Sequence, residues 1–251
     1  MSTYHTGLAP GQIGDYVLMP GDPFRTALIA QRLDGARELA FSREYRTFSG
    51  SLDGIAVSTC STGIGGPSTA IAVEELAELG ARTLIRVGTC GGGQSGVRIG
   101  DLVVATGAVR GDGASAAYVP EAFPAIADRS VVGALVDAAR AARVRVHSGI
   151  VRTVDALHSD LTPDRLPRAV ALREEMRMWR EAGVLANDME SATLLVVSSL
   201  RGLRAGVVLL CVDELDAGEI PPVDAASMSL LVSVAVDAVR RLIEVDGAAA
   251  G

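Results

Sequence analysis

Two arginines occupy positions where a charge is costly without a partner. Arg86 sits inside the apolar run 83–87, and Arg25 closes the turn Met19-Pro-Gly-Asp-Pro-Phe-Arg25 directly behind another apolar run. A guanidinium in an apolar strand must find an anion, either a ligand or the carboxylate of a structural salt bridge. The turn around Gly21 sets flexible backbone N–H groups beside the Arg25 charge, which suits a bound anion as well as it suits an ordinary strand-to-helix connection. Ile85-Arg-Val-Gly-Thr-Cys-Gly-Gly-Gly93 is a further run that ends in glycines, and it offers the Thr89 hydroxyl. Strand ends of this kind converge at the carboxyl edge of an α/β sheet, where such folds bind ligands.

Three carboxylates extend the set. Asp188 and Glu190 flank Met189 just before an apolar helical run. A carboxylate there can accept hydrogen bonds from the vicinal hydroxyls of a sugar, or Asp188 can simply cap the helix. Asp213 follows the apolar run 207–211, where it is either a proton donor with a raised pKa or a solvated loop acid.

Other chemistries drop out. All 23 basic residues are arginine, so neither a Schiff-base lysine nor a P-loop lysine exists. The turn Thr62-Gly-Ile-Gly-Gly-Pro-Ser-Thr69 resembles a dinucleotide fingerprint. Its third position is Ser68, however, and Arg82 and Arg86 stand where an acidic ribose ligand belongs. His5, His147 and His158 lack metal-ligand spacing, and there is no GxSxG elbow.

These residues need a scaffold, and 251 residues, 49% of them hydrophobic, are ample for one large α/β domain spanning 1–251. Short β-branched runs at 16–19, 55–59, 83–87, 102–105, 146–151 and 206–211 predict a largely buried sheet. Helices are predicted from Gly66 to a stop at Gly80, from about 189 to 200, and from about 225 to 244, with an exposed edge-covering helix over 164–181. Cys60, Cys90 and Cys211 form no CxxC pair and read as reduced and buried. No apolar stretch is long enough for a membrane helix, the first residues do not look like a signal peptide, and the chain is expected in the cytoplasm. A net charge of −7 argues against nucleic acid as a partner.

Taken together, Pro20-Gly-Asp-Pro-Phe-Arg25, Ser61-Thr-Gly-Ile-Gly-Gly-Pro-Ser-Thr69, Arg86-Val-Gly-Thr89 and Met189-Glu-Ser-Ala-Thr-Leu-Leu195 resemble the nucleoside phosphorylases. This is the family of uridine phosphorylase and the hexameric purine nucleoside phosphorylases. The resemblance runs from Tyr4-His-Thr-Gly-Leu8 to Arg240-Arg-Leu-Ile243. It implies a mixed, twisted, partly barrel-like central sheet flanked by helices. The activity it implies is reversible phosphate-dependent cleavage of a nucleoside to free base and (deoxy)ribose 1-phosphate, with no cofactor.

The resemblance also implies roles. Gly21, Arg25, Arg86 and Thr89 would hold phosphate, with Arg43 reaching in from a neighbouring subunit. Met189, Glu190 and Thr89 would hold the ribose, with His5 crossing a dimer interface to the 5′-hydroxyl. Glu44, Ile64 and Ser68 match a monovalent-cation site between subunits, such as one for K+. The expected assembly is a hexamer, a trimer of dimers. Arg86, Glu190 and Asp213 would carry the catalysis.

Base recognition departs from the pattern. Uridine phosphorylases place a Gln and an Arg after an aromatic residue to grip uracil, and Leu161, Pro163 and Leu157 stand at the matching positions. Leu157, Asp188 and Asp213 remain as candidate base contacts. Asp213 matches the acid that protonates a leaving purine, so the expectation leans to purine nucleosides over uridine, although 221–227 lacks the Arg that accompanies that acid. A nucleosidase using water and a non-catalytic nucleoside-binding protein are the other readings. The phosphate-binding arginines argue against the first.

Overall fold

Strand β1 (Tyr16–Met19) is buried along its whole length and pairs in parallel with two strands that sequence separates from it. The computed structural model describes residues 2–214 and 222–250, the last two of these by backbone alone. Pro221, at the head of the stretch where the purine enzymes' Arg was sought, lies outside the described residues.

After β1 come α1 (Pro23–Ala30), β2 (Asp34–Ser42), β3 (Tyr45–Leu52), β4 (Ile55–Cys60), α2 (Gly66–Glu78) and β5 (Thr83–Gly92). Next are β6 (Leu102–Gly111), α3 (Gly113–Tyr118), β7 (Ala125–Ile126), α4 (Arg129–Ala141) and β8 (Val146–Val154). The chain continues through α5 (Leu157–Leu161), α6 (Ala169–Glu181), β9 (Ala186–Asp188), α7 (Ser191–Leu200), β10 (Arg204–Asp213) and α8 (Ala225–Ala250).

One mixed sheet organises everything. β5 pairs with β10, β10 with β6, β6 with β8, β8 with β9, and β9 returns to β5. Five strands thus close into a barrel. From β5 the sheet also extends outward through β1, β4, β3 and β2 as an open wing. The expectation of a mixed, partly barrel-like α/β fold agrees with this arrangement.

Both faces of the central strands are buried, and the two-residue side-chain period of a strand divides the core. Val17, Leu84, Val103 and Val207 face Leu76 of α2 and Leu194 of α7. Their neighbours Leu18, Ile85, Val104 and Val208 face Val131 and Leu135 of α4 and Leu231 and Val239 of α8. By the same alternation Arg86 falls on the α2–α7 side.

The predicted strands exist, and several run longer. β5 continues five residues past Val87 because glycine permits it. A Cβ at Gly88 would lie 2.7 Å from Arg86 Cζ, and one at Gly91 would lie 2.6 Å from Asp213 Oδ1. The predicted segment 164–181 is broken: a 3-10 turn covers Pro163–Arg165 and α6 begins at Ala169. Its exposed character stands, since no residue of α6 is buried. The β2–β3 hairpin and the short β9 carry no strong alternating signal, so neither follows from local periodicity.

Candidate active site

The carboxyl ends of β1, β5 and β10, together with β9, α5 and α6, surround a cavity of about 1100 Å³. Parallel register sets Met19 beside Arg86, so the turn after β1 delivers Gly21 directly to the cavity. A Cβ on Gly21 would lie 3.3 Å from the Gly63 carbonyl and 4.0 Å from Arg86 Nη1; three segments meet there with little room for a side chain. Asp22 caps α1, accepting from the Phe24 N–H at 2.8 Å, and this orients the first helical turn that carries Arg25. Arg25 Nη1 donates to the Val87 carbonyl at 3.1 Å. Burial lowers the Arg25 pKa, and the like charge of Arg86 lowers it further. A bound anion would offset both effects by favouring the charged form.

Arg86 is 4% exposed. Its Nε donates to Asp188 Oδ2 at 2.8 Å, and its Nη2 contacts Glu190 Oε2. Burial opposes its charge, but Glu190 and Asp188 outweigh that and hold its pKa up. Burial raises the pKa of Glu190, against the pull of Arg86. Their direct contact favours the ionised pair at neutral pH. The remaining nitrogen, Arg86 Nη1, is buried and has no hydrogen-bond partner among the described residues. A buried guanidinium donor left open in this way favours an acceptor placed from outside.

The salt-bridge reading of Arg86 holds, and its unpartnered Nη1 is compatible with an anion as well. Asp188 lines the cavity and is held from several sides. Its Oδ1 accepts from Thr153 Oγ1 at 2.9 Å, and its Oδ2 accepts from Ser191 Oγ at 2.6 Å and the Ser191 N–H at 3.0 Å, besides Arg86. These bonds make it the residue that orients Arg86 and the first turn of α7. Glu190 Oε1 accepts the Gly65 N–H at 2.6 Å, which occupies an amide at the start of α2.

Thr89 and Met189 line the cavity, as do Leu157, Leu161 and Pro163. The apolar replacements at the expected uracil-gripping positions therefore do face the pocket. Asp213 lines the same cavity and is 7% exposed. Burial raises its pKa, while the Gly92 N–H, donating to Oδ1 at 3.2 Å, pulls it down. The solvated-loop reading of Asp213 is thereby excluded. Cys60, Cys90 and Cys211 are free and buried.

Three predicted residues, His5, Arg43 and Ser68, do not line the cavity of their own chain. His5 turns toward α2, where its Nδ1 lies 2.7 Å from Glu75 Oε1 and its N–H donates to the same oxygen at 2.9 Å. Arg43 sits in the β2–β3 turn at φ +55°, its guanidinium 5.9 Å from the Tyr4 ring centre. Glu44 and Ile64 line the cavity, and Ser68 Oγ donates to the Ile64 carbonyl at 3.3 Å.

The sequence reading missed Thr153 and Gly65, which hold the two carboxylates, and Arg152 with its partners Asp160 and Glu175. Arg152 carried a legible signal, because it too is an arginine inside an apolar strand.

A family model described as Phosphorylase superfamily matches residues 15–244. A uridine phosphorylase from Treponema pallidum is 42% identical, the match covering 97% of this chain and 95% of that one. A guanosine phosphorylase from Halorubrum lacusprofundi is 37% identical over 85% of this chain and 84% of its own length. A crystal structure of uridine phosphorylase from Vibrio fischeri superposes with a TM-score of 0.86 at 33% identity, covering 97% of this chain and 98% of that one.

Proposed function

This chain belongs to the phosphorylase superfamily, and from that premise we propose that its cavity seats orthophosphate on Arg86 and Arg25 against the sugar of a nucleoside. The chain is a nucleoside phosphorylase and hence a pentosyltransferase. The observation that carries the phosphate seat is the buried, unpartnered Nη1 of Arg86 beside the backbone of Gly21.

The chemistry follows from that seat. A phosphate oxygen bonds to the anomeric carbon while the bond from that carbon to the base breaks, its electron pair leaving with the base. Positive character builds on the sugar in between. Fixed charges that need no reorganisation lower the barrier: the arginines hold the nucleophile, and Glu190 sets a carboxylate near the hydroxyls and the developing cation. Asp188 contributes by fixing Arg86.

The purine leaning of the sequence reading gives way to uridine. The similarity to uridine phosphorylases, 40–46% identical over most of the chain, supports uridine more strongly than Asp213 alone supports a purine. A purine remains the second reading, favoured by one observation: Asp213 is a buried carboxyl with a raised pKa, suited to protonating a departing base.

In this proposal the active unit is a homo-oligomer, with a trimer of dimers as the expected form. Its support is that His5 and Arg43 turn away from their own cavity and could serve a neighbour's. Glu44, the Ile64 carbonyl and Ser68 Oγ lie together around Gly63 and fit half of a shared K+ site. Among the described residues no helix is long and apolar enough to cross a membrane. The three free thiols support the cytoplasm as the compartment.

The test is release of base from uridine, inosine, guanosine and adenosine with and without phosphate. Phosphate-dependent turnover of uridine is expected. Equal release without phosphate would make the chain a nucleosidase, and binding without turnover would make it a nucleoside-binding protein.

A further inference from the structure

The wall of the cavity formed by α5 and α6 is tied to the barrel by one buried arginine. Arg152 of β8 stands beside Asn187 of β9 in register and is 7% exposed. Its Nη1 donates to Asp160 Oδ2 at 2.9 Å and its Nη2 to Glu175 Oε1 at 2.9 Å. One side chain thus holds both α5 and α6.

Asp160 lines the cavity, with its side chain 11% exposed. Its two oxygens differ. Oδ2 is taken by Arg152, whereas Oδ1 has only a 3.5 Å contact with Ser159 Oγ. A partly shielded carboxylate oxygen served so weakly can take a further donor from the cavity. Burial pushes the Asp160 pKa up, against the pull of Arg152. The same wall contributes the apolar Leu157, Leu161, Pro163 and Met176 and, from α6, Arg173, Arg177 and Arg180; among the described residues Arg152 is the one arginine with a hydrogen bond to Asp160. The neighbouring Asp164 is 67% exposed at its side chain and pairs with Arg173.

We propose that Asp160, braced by Arg152, reads the base by accepting a hydrogen bond from a ring imide or lactam N–H. Such an N–H is N3–H in uracil and thymine and N1–H in a 6-oxopurine. Cytosine and adenine carry a bare ring nitrogen at the corresponding position, and its lone pair would oppose the carboxylate. Asp160 would touch the base, while Arg152 acts through it as a positioning residue. The inference rests on the nucleoside phosphorylase reading for its choice of ligand.

The experiment measures binding of free bases to the intact, phosphate-saturated protein by calorimetry, alongside phosphorolysis of the matching nucleosides. Uracil is compared with 3-methyluracil, and hypoxanthine with 1-methylhypoxanthine. The pair that binds identifies the base class, and its N-methylation is expected to weaken binding about 30-fold through loss of a charge-assisted hydrogen bond. Asp160→Asn, whose amide can also donate, should bring uridine and cytidine, or inosine and adenosine, at least about ten-fold closer in kcat/KM. Arg152→Met should weaken base binding with phosphate affinity unchanged, and Arg152→Lys should restore part of it.

Equal binding of parent and methylated bases by the wild-type protein would overturn the proposal, and that arm needs no variant to fold. A folded Asp160→Asn protein with native discrimination would overturn it as well. Discrimination in binding without any phosphorolysis would instead leave Asp160 as the reader and defeat the phosphorylase reading.

Discussion

Arg86 Nε and Asp188 Oδ2 lie 2.8 Å apart, both buried and separated by 102 positions in sequence. The bond aligns the guanidinium so that Nη2 meets Glu190 and Nη1 is left for the cavity. Arg86→Ala removes the proposed phosphate donor and strands two buried carboxylates. Turnover should fall by at least about 100-fold, and stability should drop by about 3–5 kcal/mol at neutral pH. Steady-state kinetics and thermal melts check the two effects separately, and a near-normal rate would remove Arg86 from the site.

Gly88 bears on the same guanidinium from the strand side. In Gly88→Ala the new methyl would lie 2.7 Å from Arg86 Cζ, so the guanidinium must shift. Phosphate KM is expected to rise about ten-fold, with a stability loss of about 1–3 kcal/mol from overpacking. An unchanged phosphate KM would show that Arg86 has slack that the packing does not suggest.

Asp213 gives a pH prediction with a definite sign. Its pKa is raised in the folded protein, so the native state binds its proton more tightly than the unfolded chain. The stability linked to that proton is full below the unfolded pKa, near the ordinary aspartate value of about 3.9, and is lost as pH rises through the folded pKa. Asp213→Asn should therefore melt higher than wild type at pH 7, with the gap closing toward pH 4. On activity, the same variant should impair any purine cleavage far more than uridine cleavage. Equal loss on both would assign Asp213 a structural role.

His5 and Arg43 allow a test of shared sites. Arg43→Ala and Arg86→Ala proteins, each weak alone, should regain part of the activity when unfolded together and reassembled, because some sites then receive both arginines intact. Light scattering should find an oligomer throughout. An active monomer would contradict both assignments.

Much of the site was legible because its motifs obey local rules. An arginine in an apolar strand and glycine turns at strand ends marked Arg86, Gly21 and Arg25, since desolvation and backbone crowding act over a few residues. Asp188 was read less well. Its choice between sugar, base and helix start depended on Thr153 and Arg86, neither near it in sequence. Arg152 bore the same mark as Arg86, yet its role appeared only once Asp160 and Glu175 were set beside it.

The sequence by itself determined the α/β class, the buried strands, the helix ending at Gly80 and the gathering of arginine and glycine at strand ends. Periodicity, capping and the cost of a buried charge are all written in neighbouring residues. Tertiary structure alone decided the closure of β5 onto both β9 and β10, the bonding of Asp188 to Arg86 and Thr153, and the placement of His5 and Arg43 away from their own chain's cavity. Each depends on which distant segments pair, and strand register over such separations is settled by how the whole core packs.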